Sequence, residues 1–186
     1  MKAIQIQDYG GPEVLETVEV PIPHPGKDQV QIQIHAAGVN PADWKMRAGY
    51  YKQFRQVPMP WIPGLEGAGV VTEVGPGVTQ FKVGQAVFGV FSGAYAEYAI
   101  APVSDIQPKP DSLTFEEAAS ISMGALTAWG AVIDTVQVQA GQRVLVHGGA
   151  GGVGLYAVQF ARWKGAHVIA TSSAANAEQQ KKPGGG

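Results

Sequence analysis

RVLVHGGAGGVG, residues 143–154, followed by LYAVQFARWKGAHVIAT, residues 155–171, decides how this chain is built. RVLVHG is a nearly continuous apolar run bounded by glycines, as a parallel strand buried on both faces should be. After the glycines, Val153, Tyr156, Ala157, Phe160, Ala161 and Lys164 recur at helical spacing, and all but the lysine are apolar. Gly165 stands where that helix must end. AHVIAT is then a second buried strand. The spacing predicts one βαβ unit.

Between strand and helix, Gly149, Gly151 and Gly154 fit G-x-G-x-x-G. The pattern means little alone in a chain with 25 glycines. Its place gives it meaning: it follows a strand, opens a helix, and sits in a βαβ unit of about thirty residues. Gly149 is expected to permit the tight turn and Gly151 to let the backbone approach a pyrophosphate. Gly154 is expected to bring helix and strand together. Ala150, Gly152 and Val153 complete the loop, whose N–H groups at the helix start would face phosphates. A site preferring NAD carries Asp or Glu about twenty residues further on, to accept from the ribose 2′-hydroxyl. Here Thr171, Ser172 and Ser173 occupy that stretch, and no acidic residue lies between Gly149 and Glu178. Hydroxyls can donate to a 2′-phosphate that a carboxylate would repel. The expected cofactor is NADPH.

Upstream the grammar differs. As far as about residue 110, AIQIQ and VQIQIHAAGV alternate with period two, and VVTEVG, QAVFGV and AYAEYAIA add short strands. Gly and Pro clusters at Gly10 to Pro12, Pro21 to Gly26 and Gly75 to Gly77 punctuate them. That describes a small barrel or sandwich. Thr114 and Glu117 have capping-box spacing, and the alanine-rich AASISMGALTAWGAVID after them favours helix.

Composition excludes several classes. A net charge of −2 in 186 residues, 45% of them apolar, is a soluble globular composition. It suggests neither nucleic acid nor membrane as partner, and no apolar stretch reaches the ~18 residues of a membrane span. The start lacks a signal peptide's apolar segment, so the cytoplasm is the default location. Without cysteine there is no disulfide, thiolate nucleophile or thiolate zinc ligand. His24, His35, His147 and His167 show no paired-ligand spacing. No metal is expected.

Taken in order, GGPEVL, AAGVNPADWKMRAG, PGLEGAGVVTEVGPGV, GAYAEYA, LTFEEAA, GALTAW and GGAGGVG resemble the medium-chain dehydrogenase/reductase superfamily, in its quinone oxidoreductase branch. The resemblance runs from Met1 to about Thr171 and implies an N-terminal GroES-like β-barrel followed by a Rossmann α/β domain. The implied division is 1–123 for the barrel, 124–173 for a partial NADPH-binding domain and 174–186 for a disordered tail. Zinc-dependent relatives have Cys and His where this chain has Asn40 and Leu65, so the resemblance is to the zinc-independent branch. Glu66 persists from the zinc-type motif and reads equally as a structural or a functional carboxylate.

The implied chemistry is NADPH-dependent hydride transfer to a quinone or an α,β-unsaturated carbonyl. By the same resemblance, Asn40, Asp43 and Lys45 should line the nicotinamide end. Lys45 would donate to the developing oxyanion, directly or through water, and Asn40 and Asp43 would position nicotinamide or ribose. A solvated surface lysine is the plain alternative for Lys45. Thr127 matches a position that bonds the nicotinamide carboxamide. Tyr51, Phe54 and Trp129 read as walls of the substrate site or as core aromatics. The polar AANAEQQKKPGGG does not resemble the family's continuation through about six parallel strands. An incomplete Rossmann domain is therefore expected, with exposed sheet edges and homo-oligomerisation. A catalytically inactive relative and an enoyl-reductase-like module stand as alternatives.

Overall fold

The computed structural model describes residues 1–54 and 56–176. The chain divides into two compact units, Met1–Ser122 and a second beginning at Met123.

The first unit is built on antiparallel strands. β1 (Lys2–Gln5) pairs with β2 (Glu16–Glu19), Lys2 lying opposite Glu19. β3 (Gln29–Ala37) runs into a short helix, α1 (Pro41–Arg47), and β4 (Glu66–Val74), β5 (Ala86–Val90), β6 (Tyr98–Pro102) and β7 (Ile106–Pro108) follow. Five of these form one sheet in the order β6-β3-β4-β5-β7. Bridges from Ala3 to Ala96 and from Ile6 to Trp61 tie the first segment of the chain to later ones. Val30, Ile32, Val71, Val87, Ala101 and Ile106 are buried between these strands, closed by Phe81 and Phe91. Period-two alternation in β3 predicts a solvated Gln31, yet Gln31 is buried between Val30 and Ile32. The register shifts beside it, and its amide is satisfied: Nε2 donates to the Pro23 carbonyl at 2.6 Å and Oε1 accepts from Thr72 Oγ1 at 2.6 Å. A buried amide with both ends bonded costs little, so the bulge can turn it inward.

α2 (Phe115–Ala119) closes this unit, laying Ala118 and Ala119 against Ala68 of β4. Its start is the expected capping box. Thr114 N–H donates to Glu117 Oε2 at 2.8 Å, and Glu117 N–H donates to Thr114 Oγ1 at 3.2 Å. The alanine-rich run is not one helix, however. It stops at Ser120, resumes as α3 (Ser122–Trp129), and widens into a π-helical turn over Gly130–Thr135.

The second unit holds the βαβ unit. β8 (Arg143–Val146) lies parallel to β9 (His167–Ala170), with α4 (Gly154–Trp163) between them in sequence. Val144, Val146 and Val168 pack with Ala157 and Ala161 of α4 and with Ala128, Val132 and Val138. The opposite face carries the neighbouring pair Leu145 and Ile169, which are 55% and 42% exposed. The strands are apolar on both faces, and among the described residues α4 covers one. Of the expected tail, Ala174–Asn176 form a 3-10 turn, and 177–186 lie outside the described residues.

Gly165 ends α4 by a specific device. Its φ is +81°, its N–H donates to the Arg162 carbonyl at 2.8 Å, and Ala166 N–H donates to the Ala161 carbonyl at 3.1 Å. This is the paired bonding of a Schellman motif, which needs a left-handed residue at its centre. Gly165→Ala should therefore lower unfolding stability by about 1 kcal/mol, read as a fall in the urea midpoint of the chain.

Candidate functional site

In the first unit, the residues NPAD at 40–43 start α1, and the sequence explains why. Pro41 suits the first helical position, where a missing N–H costs nothing. Asp43, two residues on, turns its carboxylate back: Oδ2 accepts from Asn40 N–H at 2.8 Å, while Asp43 N–H donates to the Asn40 carbonyl at 3.0 Å. Asn40 Nδ2 in turn donates to Glu66 Oε1 at 2.7 Å, crossing from α1 to the first residue of β4. Asp43 is 4% exposed and Glu66 2%. Gly38 makes this close packing possible, because a Cβ there would meet the Glu66 carboxylate. Tyr95 completes the cluster, its hydroxyl donating to the Gly38 carbonyl at 3.3 Å.

Burial, above all, pushes the Asp43 carboxyl above its ordinary range. The Asn40 amide, the Tyr95 hydroxyl and the Gly64 and Leu65 amides oppose that shift. Burial, with Asp43 and Glu66 nearby, also pushes the Tyr95 phenol upward. Asp43 Oδ1 is buried with no hydrogen-bond partner among the described residues. Lys45 sits two residues on, half-buried, with Nζ 5.7 Å from the Trp44 ring centroid. Tyr51 and Phe54 are exposed on the turns after α1, Phe54 at 88%.

The second unit presents the glycine loop. The turn does not rest on Gly149 as expected: the left-handed residue is Gly148, at φ +70°. Gly149 is instead buried, its N–H donating to the Thr171 carbonyl at 2.8 Å, which ties the loop to the end of β9. Gly151 and Gly152 are exposed, and nothing lies within 4 Å of a Cβ built on Gly152. Gly154 is crowded, since its Cβ would strike the Gly148 carbonyl. The closest approach is thus between helix start and loop, rather than helix and strand. Val153 precedes α4 and is 42% exposed, and Ala150 is half-buried.

Thr171 Oγ1 lies 3.2 Å from His147 Nδ1 and accepts from Gly148 N–H at 3.3 Å. Ser172 Oγ donates to the Ser173 carbonyl at 3.2 Å. Thr127, on α3, is exposed and donates its hydroxyl proton to the Met123 carbonyl at 2.6 Å, which leaves its oxygen able to accept. Trp129 lies edge-on to Phe160 at 5.4 Å and tilted against Trp163 at 6.0 Å, lining an open cleft of about 440 Å³ with Gln159.

Each unit therefore brings part of the expected set together: Asn40, Asp43 and Lys45 in one, and 149–154 with 171–173 in the other. Sequence reasoning missed Gly38, Tyr95, Gly148 and Gly124. Gly124 has a Cβ position 2.7 Å from the Gly152 carbonyl. Only the glycines' density near motifs hinted at them, since contact partners at such separations are not adjacent in sequence. Among the described residues, no group of three His, Asp or Glu could hold a metal ion. No helix among them is long and apolar enough to cross a membrane.

Residues 26–111 match the alcohol dehydrogenase GroES-like domain. The chain is 40% identical over 185 residues to a quinone oxidoreductase of Rattus norvegicus, covering 98% of this chain and 55% of the relative. It is similar to the solved quinone oxidoreductase from Coxiella burnetii, with a TM-score of 0.85 and 38% identity over 96% of this chain and 58% of that one. A mycobacterial protein solved in complex with NADPH is 40% identical, with a TM-score of 0.85 over 96% of this chain and 55% of its own. The chain spans about half the length of the curated relatives it matches.

The loop geometry separates two glycines that look alike in sequence. Gly154→Ala, which meets the Gly148 carbonyl, should cost about 1–3 kcal/mol. Gly152→Ala, facing open space, should stay within about 0.5 kcal/mol. Urea unfolding of both variants checks the contrast.

Proposed function

This chain belongs to the medium-chain dehydrogenase/reductase superfamily, beside its quinone oxidoreductases, and on that premise we propose that it serves NADPH-dependent reduction of a quinone or an α,β-unsaturated carbonyl, without zinc. The observation that carries this reading is the pairing of the glycine loop with Thr171, Ser172 and Ser173 where an acid would select NAD.

The residues present fit a dinucleotide. Gly151 and Gly152 lie exposed, Gly152 with open space where a Cβ would be, and they precede the N-terminus of a ten-residue helix, a natural seat for phosphate. Ser173 offers a hydroxyl to a 2′-phosphate, and Ser172 would do so by giving up its bond to the Ser173 carbonyl. Thr171 has its hydroxyl engaged by His147 and Gly148, so its part is to hold the loop's shape. Thr127 would accept from the carboxamide N–H through the lone pairs its own donation leaves available.

NADPH, when bound, supplies the hydride. Reduction then puts negative charge on the substrate oxygen, and Lys45 is the group we assign to donate to it, directly or through water. Asn40, fixed by Glu66 and Asp43, would orient the nicotinamide or ribose. Asp43 contributes through Asn40, because its own carboxyl is buried. Tyr51, Phe54 and Trp129 are the aromatics assigned to the substrate. Zinc is left out on donor chemistry: Asn40 and Leu65 replace thiolate and imidazole, and the chain has no cysteine.

Fluorescence titration tests the cofactor: the chain should bind NADPH more tightly than NADH, and Ser172→Asp should reverse the order. Equal affinities would count against the reading. Chelation tests the metal: nucleotide binding and any quinone turnover should survive it, and elemental analysis should find no stoichiometric zinc.

A further inference from the structure

The stretch assigned to the 2′-phosphate is short of donors. Such a group is best held by several hydrogen bonds, each strengthened by its charge. Thr171 Oγ1 is taken up by His147 and Gly148, and Ser172 Oγ donates to the Ser173 carbonyl at 3.2 Å. Among the described residues of that run, Ser173 alone keeps an uncommitted hydroxyl. Nor does an arginine or lysine described in the second unit stand close by. Arg143 opens β8 beside His167, about 13 Å along the strands from Thr171. Arg162 and Lys164 lie at the closing turn of α4, about 12 to 15 Å of helix away from the loop.

His147 is the exception. It follows β8 directly, its side chain is exposed, and Nδ1 lies 3.2 Å from Thr171 Oγ1. Gly148 N–H donates to the same Oγ1 at 3.3 Å, so the hydroxyl accepts there and keeps its hydrogen for the ring. A hydroxyl that accepts one bond donates a stronger one. Nδ1 therefore accepts, and the ring's own hydrogen falls on Nε2, which makes no hydrogen bond among the described residues. In the imidazolium, too, Nε2 carries hydrogen. We propose that His147 is a specificity-determining residue for the cofactor: its Nε2–H donates to the 2′-phosphate while Thr171 fixes the ring through Nδ1. This role rests on the NADPH reading above and supplies a donor that the hydroxyl run lacks.

A histidine that only braced the loop would need Nδ1 alone. Two substitutions separate the roles. Asparagine sets an oxygen near the Nδ1 position and keeps an acceptor for Thr171, without a donor where Nε2 was. Glutamine reaches the Nε2 position with an amide N–H and surrenders the Nδ1 contact.

Fluorescence titration of the whole chain with NADPH and NADH reads the outcome as the ratio of the two dissociation constants. His147→Asn should shrink the preference for NADPH by about tenfold, and His147→Gln should recover part of it. A change in loop shape alone moves both nucleotides together and leaves the ratio where it was. The role is refuted by itself if the wild type prefers NADPH and His147→Asn keeps that ratio, or if His147→Gln loses as much as His147→Asn. A wild-type chain that binds the two nucleotides alike refutes the NADPH reading and this role together. Nitrogen-15 NMR of the nucleotide-free chain needs no binding: the neutral His147 ring should carry its hydrogen on Nε2, and hydrogen on Nδ1 overturns the proposal.

Discussion

Both units depend on backbone segments that approach more closely than a Cβ permits. In the first, Gly38 lets the Glu66 carboxylate come against the chain leaving β3, and Gly69 lets β4 lie on the Gln33 carbonyl of β3. In the second, Gly154 starts α4 against the Gly148 carbonyl, and Gly124 of α3 lies against Gly152. A side chain at Gly69, Gly154 or Gly124 would have to displace backbone, which cannot yield as a flexible tip can, and one at Gly38 would have to displace the Glu66 carboxylate. The alternative is a wider separation, and then the hydrogen bonds made across the contact are lost.

Those contacts place polar groups where water does not reach, and the polar groups then define each other. Glu66 is tolerable at 2% exposure because Asn40 Nδ2 donates to it. Asn40 is held because Asp43 accepts from its N–H. In a low-dielectric cluster each bond is stronger and each omission dearer than at the surface. Asn40 is thereby held at its backbone by Asp43 of the helix it caps and at its side chain by Glu66 of β4. A group that must orient a ligand gains from such fixing, since little freedom is left to lose on binding.

The glycine loop is organised differently. Its anchors are main-chain bonds: Gly149 to the Thr171 carbonyl at 2.8 Å and Gly151 N–H to the Gly148 carbonyl at 2.9 Å. Thr171 is the hinge of this arrangement, bonding the loop through both its carbonyl and its hydroxyl. The end of β9 thus contributes to the shape of the turn after β8 as well as to the groups assigned to the nucleotide.

Much of this was legible in local pattern. Apolar runs and helical spacing placed β8, α4 and β9, Thr114 and Glu117 announced the start of α2, and Gly165 the end of α4, because each depends on neighbours within a few residues. The order of motifs was enough to indicate the superfamily. Tertiary structure decided the rest. It turned Gln31 inward against its alternation, broke the alanine-rich helix at Ser120, moved the left-handed turn from Gly149 to Gly148, and left Leu145 and Ile169 bare on one sheet face. It alone joined Tyr95, Gly38, Asn40 and Glu66. Propensity and periodicity act along the chain, whereas burial and the pairing of buried polar atoms act between segments that only folding brings together.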